Sequence, residues 1–156
     1  SMEYNPMEVA KILNSLKDKL EVIKGNCDAE VDEMISEFKF NSYIVKEIGN
    51  KKFFFTHGHH YNIDIFPPVG DVLVYGHFHT GYITEKEGVI CVNAGSISLP
   101  KNNTPNSYLV IESNNETINI ILKVNTNLSK LLKPNEDKIL EVSLESIILN
   151  ISFNKV

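Results

Sequence analysis

The first forty residues combine one clear helical pattern with a short extended run. Apolar residues recur at helical spacing directly after Asn5 and Pro6, an N-cap residue followed by the residue that suits the first helical position. A brief apolar run follows, and Asp28 then stands where it can cap a second helix. We therefore predict a helix over 6–19, a buried strand over 20–24 and a helix after Asp28.

Beyond residue 41, apolar residues occur in short runs separated by Gly, Pro and Asn, as in strands joined by turns. We predict two hairpins, one about Gly88 and one about Asn114 and Asn115. Three consecutive aromatic residues at 53–55 indicate a strand buried on both faces rather than a base-stacking platform, and Cys91 fits a small core residue. The predicted strands span residues 42–47, 52–56, 71–75, 82–85, 89–92, 108–112 and 117–124.

The end of the chain contains two conflicting patterns. Apolar residues alternate as in a strand over 140–144, whereas Ile147 and Ile148, taken with Ile139, fit one face of a helix. A strand, an appended helix and an unstructured end all stay open for this segment.

Length and composition fit one globular domain. The 156 residues are 42% hydrophobic and 22% charged, and no apolar run approaches the roughly 20 residues that span a membrane. The net charge of -5 offers no basic face for a phosphate backbone, so we expect no nucleic-acid partner. Two cysteines form no disulfide framework, which favours the cytoplasm. We assign one domain to residues 3–124 and a C-terminal extension of uncertain structure to residues 125–156.

Four short runs carry side chains that bind metal ions, and each follows an apolar stretch of strand character. In open α/β sheets, ligands bind just beyond the carboxyl ends of the strands, where neighbouring loops converge. Imidazole nitrogens and amide oxygens bind Mn, Fe, Zn or Ni. The pattern predicts a hydrolytic metal site that includes Asn26, His57 and His77. The four runs are Gly25-Asn26-Cys27-Asp28, Thr56-His57-Gly58-His59, Gly76-His77-Phe78-His79 and Asn93-Ala94-Gly95-Ser96.

The spacing of His77 and His79 bears on the number of metal ions. In an extended segment the two imidazoles would point to opposite sides, but at a strand-to-loop turn they can face two adjacent ions. Two ions about 3.5 to 4 Å apart clamp a phosphoryl oxygen, lower the pKa of a bridging water and steady the leaving oxygen. This chemistry is phosphoester hydrolysis.

The same residues also have plain structural interpretations. Asn26 and Asp28 on their own fit a turn followed by a helix cap, and Asp28 keeps that interpretation. His57, His59 and His60 on their own fit a surface cluster or an adventitious nickel site. The Gly-His-x-His run that follows favours metal binding for Asn26 and His57, while we expect His60 to be exposed to solvent.

The order of these motifs resembles the later motifs of the calcineurin-like metallophosphoesterases, above all their small bacterial phosphodiesterase subgroup. The likeness covers roughly residues 4–112. It implies an α/β fold of layered sheets flanked by helices. It also implies that Asn26, His57 and His77 ligate one metal ion and that His79 ligates a second. Mn is the expected metal, with Ni, Fe or Zn as alternatives.

The chain departs from the family pattern in the acidic metal ligands. Family members carry Asp-x-His on the first strand and Gly-Asp on the next, whose aspartate bridges both ions, and neither motif precedes Asn26 here. The resemblance therefore implies a partial fold that lacks the first strands, in an N-terminally truncated chain. It also implies that at most one ion is held, weakly, where the complete family site holds two.

Two further residues bear on proton transfer. The family's usual histidine after the Gly-Asn motif, which helps to protonate the leaving group, is Cys27 here, a replacement that the small phosphodiesterase subgroup shares. General acid catalysis commonly contributes about 10²- to 10⁴-fold. The resemblance therefore implies esters with good leaving groups or another proton donor, for which His59 is the candidate.

Several interpretations of function stay open. By family, the protein hydrolyses a small phosphate ester with a metal-activated water, and this chain is impaired or inactive as an incomplete fragment. One alternative is a non-catalytic scaffold of the same fold, as in the retromer subunit of the superfamily. Another is a start codon assigned too late, or an interrupted gene. Missing strands would also leave an open sheet edge, which predicts a homodimer through that edge.

Overall fold

The computed structural model describes residues 5–125 and 146–152. These residues form two α-helices and ten strands, and a three-residue 3-10 helix, Lys17–Lys19, follows the first α-helix. In chain order the elements are α1 Pro6–Ser15, β1 Val22–Ile23, α2 Glu30–Ile35, β2 Phe40–Asn41, β3 Tyr43–Ile48, β4 Lys51–Thr56, β5 Val72–Tyr75, β6 Tyr82–Lys86, β7 Val89–Asn93, β8 Asn106–Ser113, β9 Thr117–Asn125 and β10 Ser146–Ser152.

A mixed five-stranded sheet forms the centre of the molecule, with the strand order β3-β4-β5-β7-β6. The three inner strands, β4, β5 and β7, are parallel to one another, and the two outer strands pair antiparallel to their neighbours. All four residues of β5 are buried, because parallel strands in the middle of such a sheet are covered on both faces. The expected α/β fold with layered sheets is confirmed.

A second sheet, with the order β10-β9-β8, packs against one face of the first. Phe53, Val72 and Val92 from the central sheet meet Ile118 and Ile120 of β9, and all five side chains are fully buried. The period-two alternation of β9 places these two isoleucines on the same face. This layer between the sheets is the larger of the two hydrophobic clusters.

The loop between β4 and β5 packs against the opposite face of the central sheet. Phe54, Leu73 and Cys91 are buried on this face, and Tyr61 and Phe66 of the loop between β4 and β5 pack against them. The expected core position of Cys91 and of the 53–55 strand is therefore confirmed. The same loop begins with the histidines of the second motif, so its packing also positions those residues.

The N-terminal helix forms as predicted but is shorter. The Asn5 side chain accepts a hydrogen bond from the Glu8 backbone N–H (3.1 Å), and the helix ends at Ser15 rather than near residue 19. Three apolar residues of its predicted stripe, Val9, Ile12 and Leu16, are exposed at 55, 53 and 47%. Neither described helix is long and apolar enough to cross a membrane.

The prediction that Asp28 caps the second helix is wrong. Asp28 Oδ2 instead accepts a hydrogen bond from the Gly25 backbone N–H (2.6 Å) and closes the turn that carries Asn26. The helix starts one residue later than such a cap would require, and Asp32 Oδ2 accepts from the Ala29 N–H at its start (2.8 Å). A turn bond with a nearby amide competes successfully with the capping position.

Two strands were missed in the sequence. β2 pairs parallel with β1, which is only two residues long instead of the predicted five. β10 pairs antiparallel with β9 from Ser146↔Lys123 to Ser152↔Thr117. The helical alternative is therefore wrong for Ile147 and Ile148, while residues 139–144 lie outside the described residues.

The central position of Leu73 predicts a large loss of stability when its side chain is shortened. Leu73 is fully buried in β5, so Leu73→Ala should lower the free energy of unfolding by about 2–5 kcal/mol, the range for truncation of a buried leucine. Leu16→Ala is the matched control, since this exposed side chain should change stability by only about 0.5 kcal/mol. Urea denaturation measures both, and equal losses would contradict the assigned core.

Candidate metal centre

Three predicted ligands follow three strands. His57 comes directly after β4, His77 comes two residues after β5, and Asn26 comes three residues after β1. β4 and β5 are parallel neighbours in the central sheet, so their carboxyl ends lie at the same edge. The turn of Asn26 reaches this edge from the separate two-stranded sheet of β1 and β2.

The structure brings the side chains of Asn26 and His77 into contact with the same nitrogen of His57. His57 Nε2 lies 2.9 Å from Asn26 Oδ1 and 3.2 Å from His77 Nδ1. The two imidazole rings have centroids 5.0 Å apart and an interplanar angle of 69°. The sequence-based prediction that Asn26, His57 and His77 converge agrees with this geometry.

The donor set suits a cation better than it suits hydrogen bonding alone. His57 Nε2 carries either a proton, which it can donate to Asn26 Oδ1, or a lone pair, which can accept from His77 Nδ1. It cannot do both, so with the Asn26 oxygen facing His57 no single tautomer gives each contact a hydrogen of its own. A divalent ion accepts lone pairs from all three atoms, and imidazole nitrogen and amide oxygen are suitable ligands for Mn, Fe, Zn or Ni.

The environment of His57 favours the neutral, ligating form of its ring. Partial burial lowers the pKa of His57 below its ordinary value, and the neighbouring rings of His77 and His59 lower the pKa further. Asp28 acts in the opposite direction with a smaller effect. At neutral pH the ring therefore keeps a lone pair available for a metal ion.

The Gly-His-x-His segment has an unusual backbone. His77 and His79 have φ of 62° and 58°, in the left-handed region that few residues other than glycine adopt. The Phe78 N–H donates to the Gly76 carbonyl oxygen (2.7 Å) across the tight turn between the strand and the loop. Non-glycine residues in this region are costly and cluster at functional sites.

The ends of β4 and β5 are joined by backbone contacts. The Gly76 N–H donates to the His57 carbonyl oxygen (2.9 Å), one bond beyond the two strands. Gly58 has φ of 118°, and a Cβ at this position would lie 3.2 Å from the Gly76 carbonyl oxygen and 3.2 Å from His77 Cβ. A glycine is therefore needed for His57 and His77 to approach as they do.

The other two histidines of the second motif differ in position. The His59 ring is exposed, with its centroid 5.3 Å from that of His57 and 6.2 Å from that of His77. His60 is exposed, as expected, and its ring contacts that of His59 with centroids 4.0 Å apart and a tilt of 40°. Residual desolvation lowers the pKa of His59, and the rings of His60 and His77 lower the pKa further.

His79 points to a neighbouring loop. Its Nδ1 donates to the Leu99 carbonyl oxygen (2.7 Å), which places the proton on Nδ1 and leaves the lone pair on Nε2. Its backbone carbonyl accepts from the Lys101 N–H (2.9 Å). A ligand role for His79 stays a prediction, and this arrangement prepares the ring for one.

The Asn93 motif stabilises the turn that precedes His77. Asn93 is fully buried, and its Nδ2 donates to the Gly76 carbonyl oxygen (2.8 Å) while its Oδ1 accepts from the Gly95 N–H (2.9 Å). The Ser107 Oγ donates to the Ala94 carbonyl oxygen (2.9 Å). The motif thus fixes the turn before His77, as the sequence interpretation of structural support expects.

Cys27 is exposed with a free thiol in the same turn as Asn26. Within the described residues, no group of three or more His, Cys, Asp or Glu side chains surrounds a common point. Two histidines and an amide make up the cluster instead. The centre therefore consists of neutral ligands.

The sequence matches the calcineurin-like phosphoesterase superfamily domain over residues 4–116. The chain belongs to this family. Family members generally depend on divalent metal ions, which agrees with the ligand chemistry of Asn26, His57 and His77. The resemblance seen in the motifs is therefore confirmed.

Individual relatives agree with this assignment. The chain is 35% identical over 121 residues to the phosphodiesterase YfcE of Escherichia coli strain K12, covering 76% of this chain and 65% of YfcE. A solved structure of Yfce, described as a phosphoesterase from E. coli, has a TM-score of 0.68 at 32% identity and covers 78% of this chain and 65% of that chain. The present chain thus spans less than two thirds of the length of the phosphodiesterase YfcE.

A more distant structure shares the fold alone. Vacuolar protein sorting 29 of Cryptosporidium parvum has a TM-score of 0.59 at 19% identity, covering 96% of this chain and 77% of that chain. Its coverage extends further along this chain than that of the phosphoesterase structure.

Three site residues were not recognised as such in the sequence. Asn62 holds the loop of His57, Tyr75 accepts a hydrogen bond from that loop, and Ser107 bonds to the turn after Asn93. An asparagine in a loop and a tyrosine in an apolar run are common in any sequence, so no pattern marks them as site residues. Only the folded chain brings them to the centre.

The tight approach at Gly58 predicts a specific cost for a methyl group. Gly88 also has a positive φ, 79°, but a Cβ there meets no atom within 4 Å. Gly58→Ala and Gly88→Ala should both lose about 1–2 kcal/mol of stability from the left-handed backbone. Gly58→Ala should lose about 1–3 kcal/mol more through overpacking against Gly76 and His77.

Urea denaturation of the two glycine variants provides the comparison. Equal losses for Gly58→Ala and Gly88→Ala would show that the ends of β4 and β5 are not in the close contact described above.

Proposed function

We propose that this chain belongs to a phosphodiesterase or phosphatase that hydrolyses small phosphate esters with an activated water molecule. The observation that carries the proposal is the convergence of Asn26 Oδ1, His57 Nε2 and His77 Nδ1 within 2.9 and 3.2 Å. Membership of the calcineurin-like phosphoesterase superfamily supports it. The similarity to the phosphodiesterase YfcE favours a phosphodiester substrate.

Asn26, His57 and His77 would hold one divalent ion, for which we propose Mn²⁺, with Ni, Fe or Zn as alternatives. Such an ion polarises a phosphoryl oxygen and lowers the pKa of a bound water molecule towards neutrality. The chain's own contribution is to hold three neutral donors together on two parallel strand ends and one turn. His79, with its lone pair on Nε2, is our candidate ligand for a second ion.

We propose that this chain alone holds at most one ion, and weakly. Carboxylates supply the negative charge that attracts a divalent cation most strongly, and the described residues contain no cluster with three or more His, Cys, Asp or Glu side chains. The three converging ligands are uncharged when they bind. Hydrolysis by this chain should accordingly be impaired.

His59 is our candidate proton donor to the leaving group. It is exposed beside His77, where a substrate can reach it. Its lowered pKa favours the neutral ring at neutral pH, so little of the acid form is available there to donate a proton. Cys27, exposed next to Asn26, is the second candidate. Both residues favour substrates with good leaving groups.

We further propose that the protein works in the cytoplasm. Cys27 and Cys91 are both free thiols, one exposed and one buried. A reducing compartment keeps thiols in this state.

We also propose that two copies pair through the outer edge of β8. Within the described part of the chain, β8 pairs only with β9 and its other edge is open. The run Asn106–Ile111 carries no charge, whereas the edge strand β3 carries Lys46 and Glu47, which oppose edge pairing. A cavity of about 550 Å³ lies beside β8 and is lined by apolar residues, including Phe55, Val74 and Leu109. An antiparallel β8 pair would cover this edge.

Metal binding and hydrolysis test the proposed function together. Calorimetric titration with Mn²⁺ should show one weak site, and His57→Ala should weaken binding at least about 10-fold because the central donor is lost. His60→Ala is the matched control, since this histidine is exposed and lies outside the converging donors. The rate of hydrolysis of bis(p-nitrophenyl) phosphate with Mn²⁺ or Ni²⁺ should likewise fall in His57→Ala and stay unchanged in His60→Ala.

Two results would contradict the proposal. One is equal binding by the His57 and His60 variants, which would assign the metal to another place. The other is the absence of both Mn²⁺ binding and hydrolysis in the unaltered chain, which would favour the scaffold function.

The proposed dimer predicts a mass that responds to charge on β8. Light scattering should give twice the chain mass for the unaltered protein. Tyr108→Lys should give a monomer, because it places a charge on an exposed residue of the uncharged edge. Tyr43→Lys, on the exposed face of the charged edge strand β3, should leave the dimer intact. A monomeric mass for the unaltered chain at all concentrations would overturn the proposal.

A further inference from the structure

Asn62 is a buried polar residue in the loop between β4 and β5, with 8% of its surface exposed. Both ends of its amide are bonded to backbone groups. Nδ2 donates to the Gly58 carbonyl oxygen (3.0 Å), and Oδ1 accepts from the Asp64 N–H (2.9 Å). Its own backbone exchanges two hydrogen bonds with Ile65 at 3.0 and 3.2 Å. The side chain therefore connects the start of the loop with a small closed turn.

The bond from Asn62 reaches the backbone beside the central metal ligand. Gly58 follows His57, whose own carbonyl oxygen accepts from the Gly76 N–H (2.9 Å). Two successive carbonyl groups, those of His57 and Gly58, are thus each held by a hydrogen bond. Loss of the bond to Gly58 would release the backbone directly after His57.

A second contact fixes the closed turn to β5, the strand that precedes His77. The Ile63 N–H donates to the Tyr75 hydroxyl oxygen (3.2 Å), and the Tyr75 hydroxyl also contacts that of Tyr82. Tyr75 is fully enclosed at the end of β5, two residues before His77. The turn of Asn62 is therefore anchored to both halves of the centre.

We propose that Asn62 is a positioning residue of the metal centre. Through the Gly58 carbonyl it fixes the His57 backbone and keeps His57 Nε2 within reach of Asn26 Oδ1 and His77 Nδ1. The inference rests on the proposed function for its consequence in metal binding. Its consequence for the histidine rings is tested separately, on the metal-free protein.

Three variants test the proposal. Asn62→Ala removes both amide bonds. Asn62→Asp keeps an acceptor for the Asp64 N–H but replaces the Nδ2 donor to Gly58 with an oxygen. Asn14→Ala is the matched control, because Asn14 Nδ2 donates to the Ile35 carbonyl oxygen (2.9 Å) and its Oδ1 accepts from the Glu37 N–H (2.8 Å). That residue joins the two helices.

The first readout is the histidine ring NMR spectrum of the metal-free protein. Asn62→Ala and Asn62→Asp should both shift the ring signals of His57 and His77, while Asn14→Ala should leave them unchanged. The second readout is the Mn²⁺ affinity by calorimetry. Both Asn62 variants should bind about 10- to 100-fold more weakly, the range seen when residues that support metal ligands are lost. Thermal unfolding shows how far stability alone differs among the variants.

Each outcome decides the proposal. Unchanged His57 and His77 signals in both Asn62 variants would overturn it. A spectrum of Asn62→Asp that matches that of the unaltered protein would also overturn it, because the bond to the Asp64 N–H would then be enough to position His57. If Asn14→Ala shifts the His57 and His77 signals equally, the shifts reflect general destabilisation, and the proposal is also overturned. If the unaltered chain binds no Mn²⁺, the proposed function fails, and the metal-free spectra still decide the role of Asn62.

Discussion

The parallel pairing of β4 with β5 is the constraint on which the site depends. The register that pairs Phe55 with Val74 continues past the strands as the bond from the Gly76 N–H to the His57 carbonyl oxygen. His57 and His77 therefore cannot separate without loss of sheet pairing. Because β5 is buried on both faces, the hydrophobic cores on either side hold this register. The geometry of the imidazoles is thus a direct result of how the sheet is packed.

Sequence patterns predict best the parts of the fold that are buried on both faces of the sheet. Strands β4, β5 and β7 are short apolar runs covered on both faces, and their positions follow from composition and turn residues. The N-terminal segment is less predictable, because its apolar helix stripe remains largely exposed and the local preference of Asp28 for a cap yields to a turn bond with Gly25. Tertiary contacts decide such choices, and a single sequence does not contain them.

The site divides in the same way. The convergence of Asn26, His57 and His77 follows from the rule that ligands gather at the carboxyl ends of strands. The left-handed backbone of His77 has no clear signal in the sequence, since only a few per cent of non-glycine residues adopt it. Asn62 was also hidden, because an asparagine in a loop is usually read as a turn former. Chemistry is visible in residue types, whereas the atoms that orient them are visible only in three dimensions.

The backbone of the Gly-His-x-His segment limits how this centre can be transferred to other proteins. A designer who copies the two imidazoles onto an ordinary strand end would obtain right-handed or extended torsions at those positions, and the rings would diverge. The host scaffold must hold two histidines, separated by one residue, in the left-handed backbone conformation. Here the Asn93 side chain donates to the Gly76 carbonyl and the Lys101 N–H donates to the His79 carbonyl, so the backbone of the segment is held at both ends. A transfer of the site must therefore include the turn and the loop that stabilises it, and not the three ligands alone.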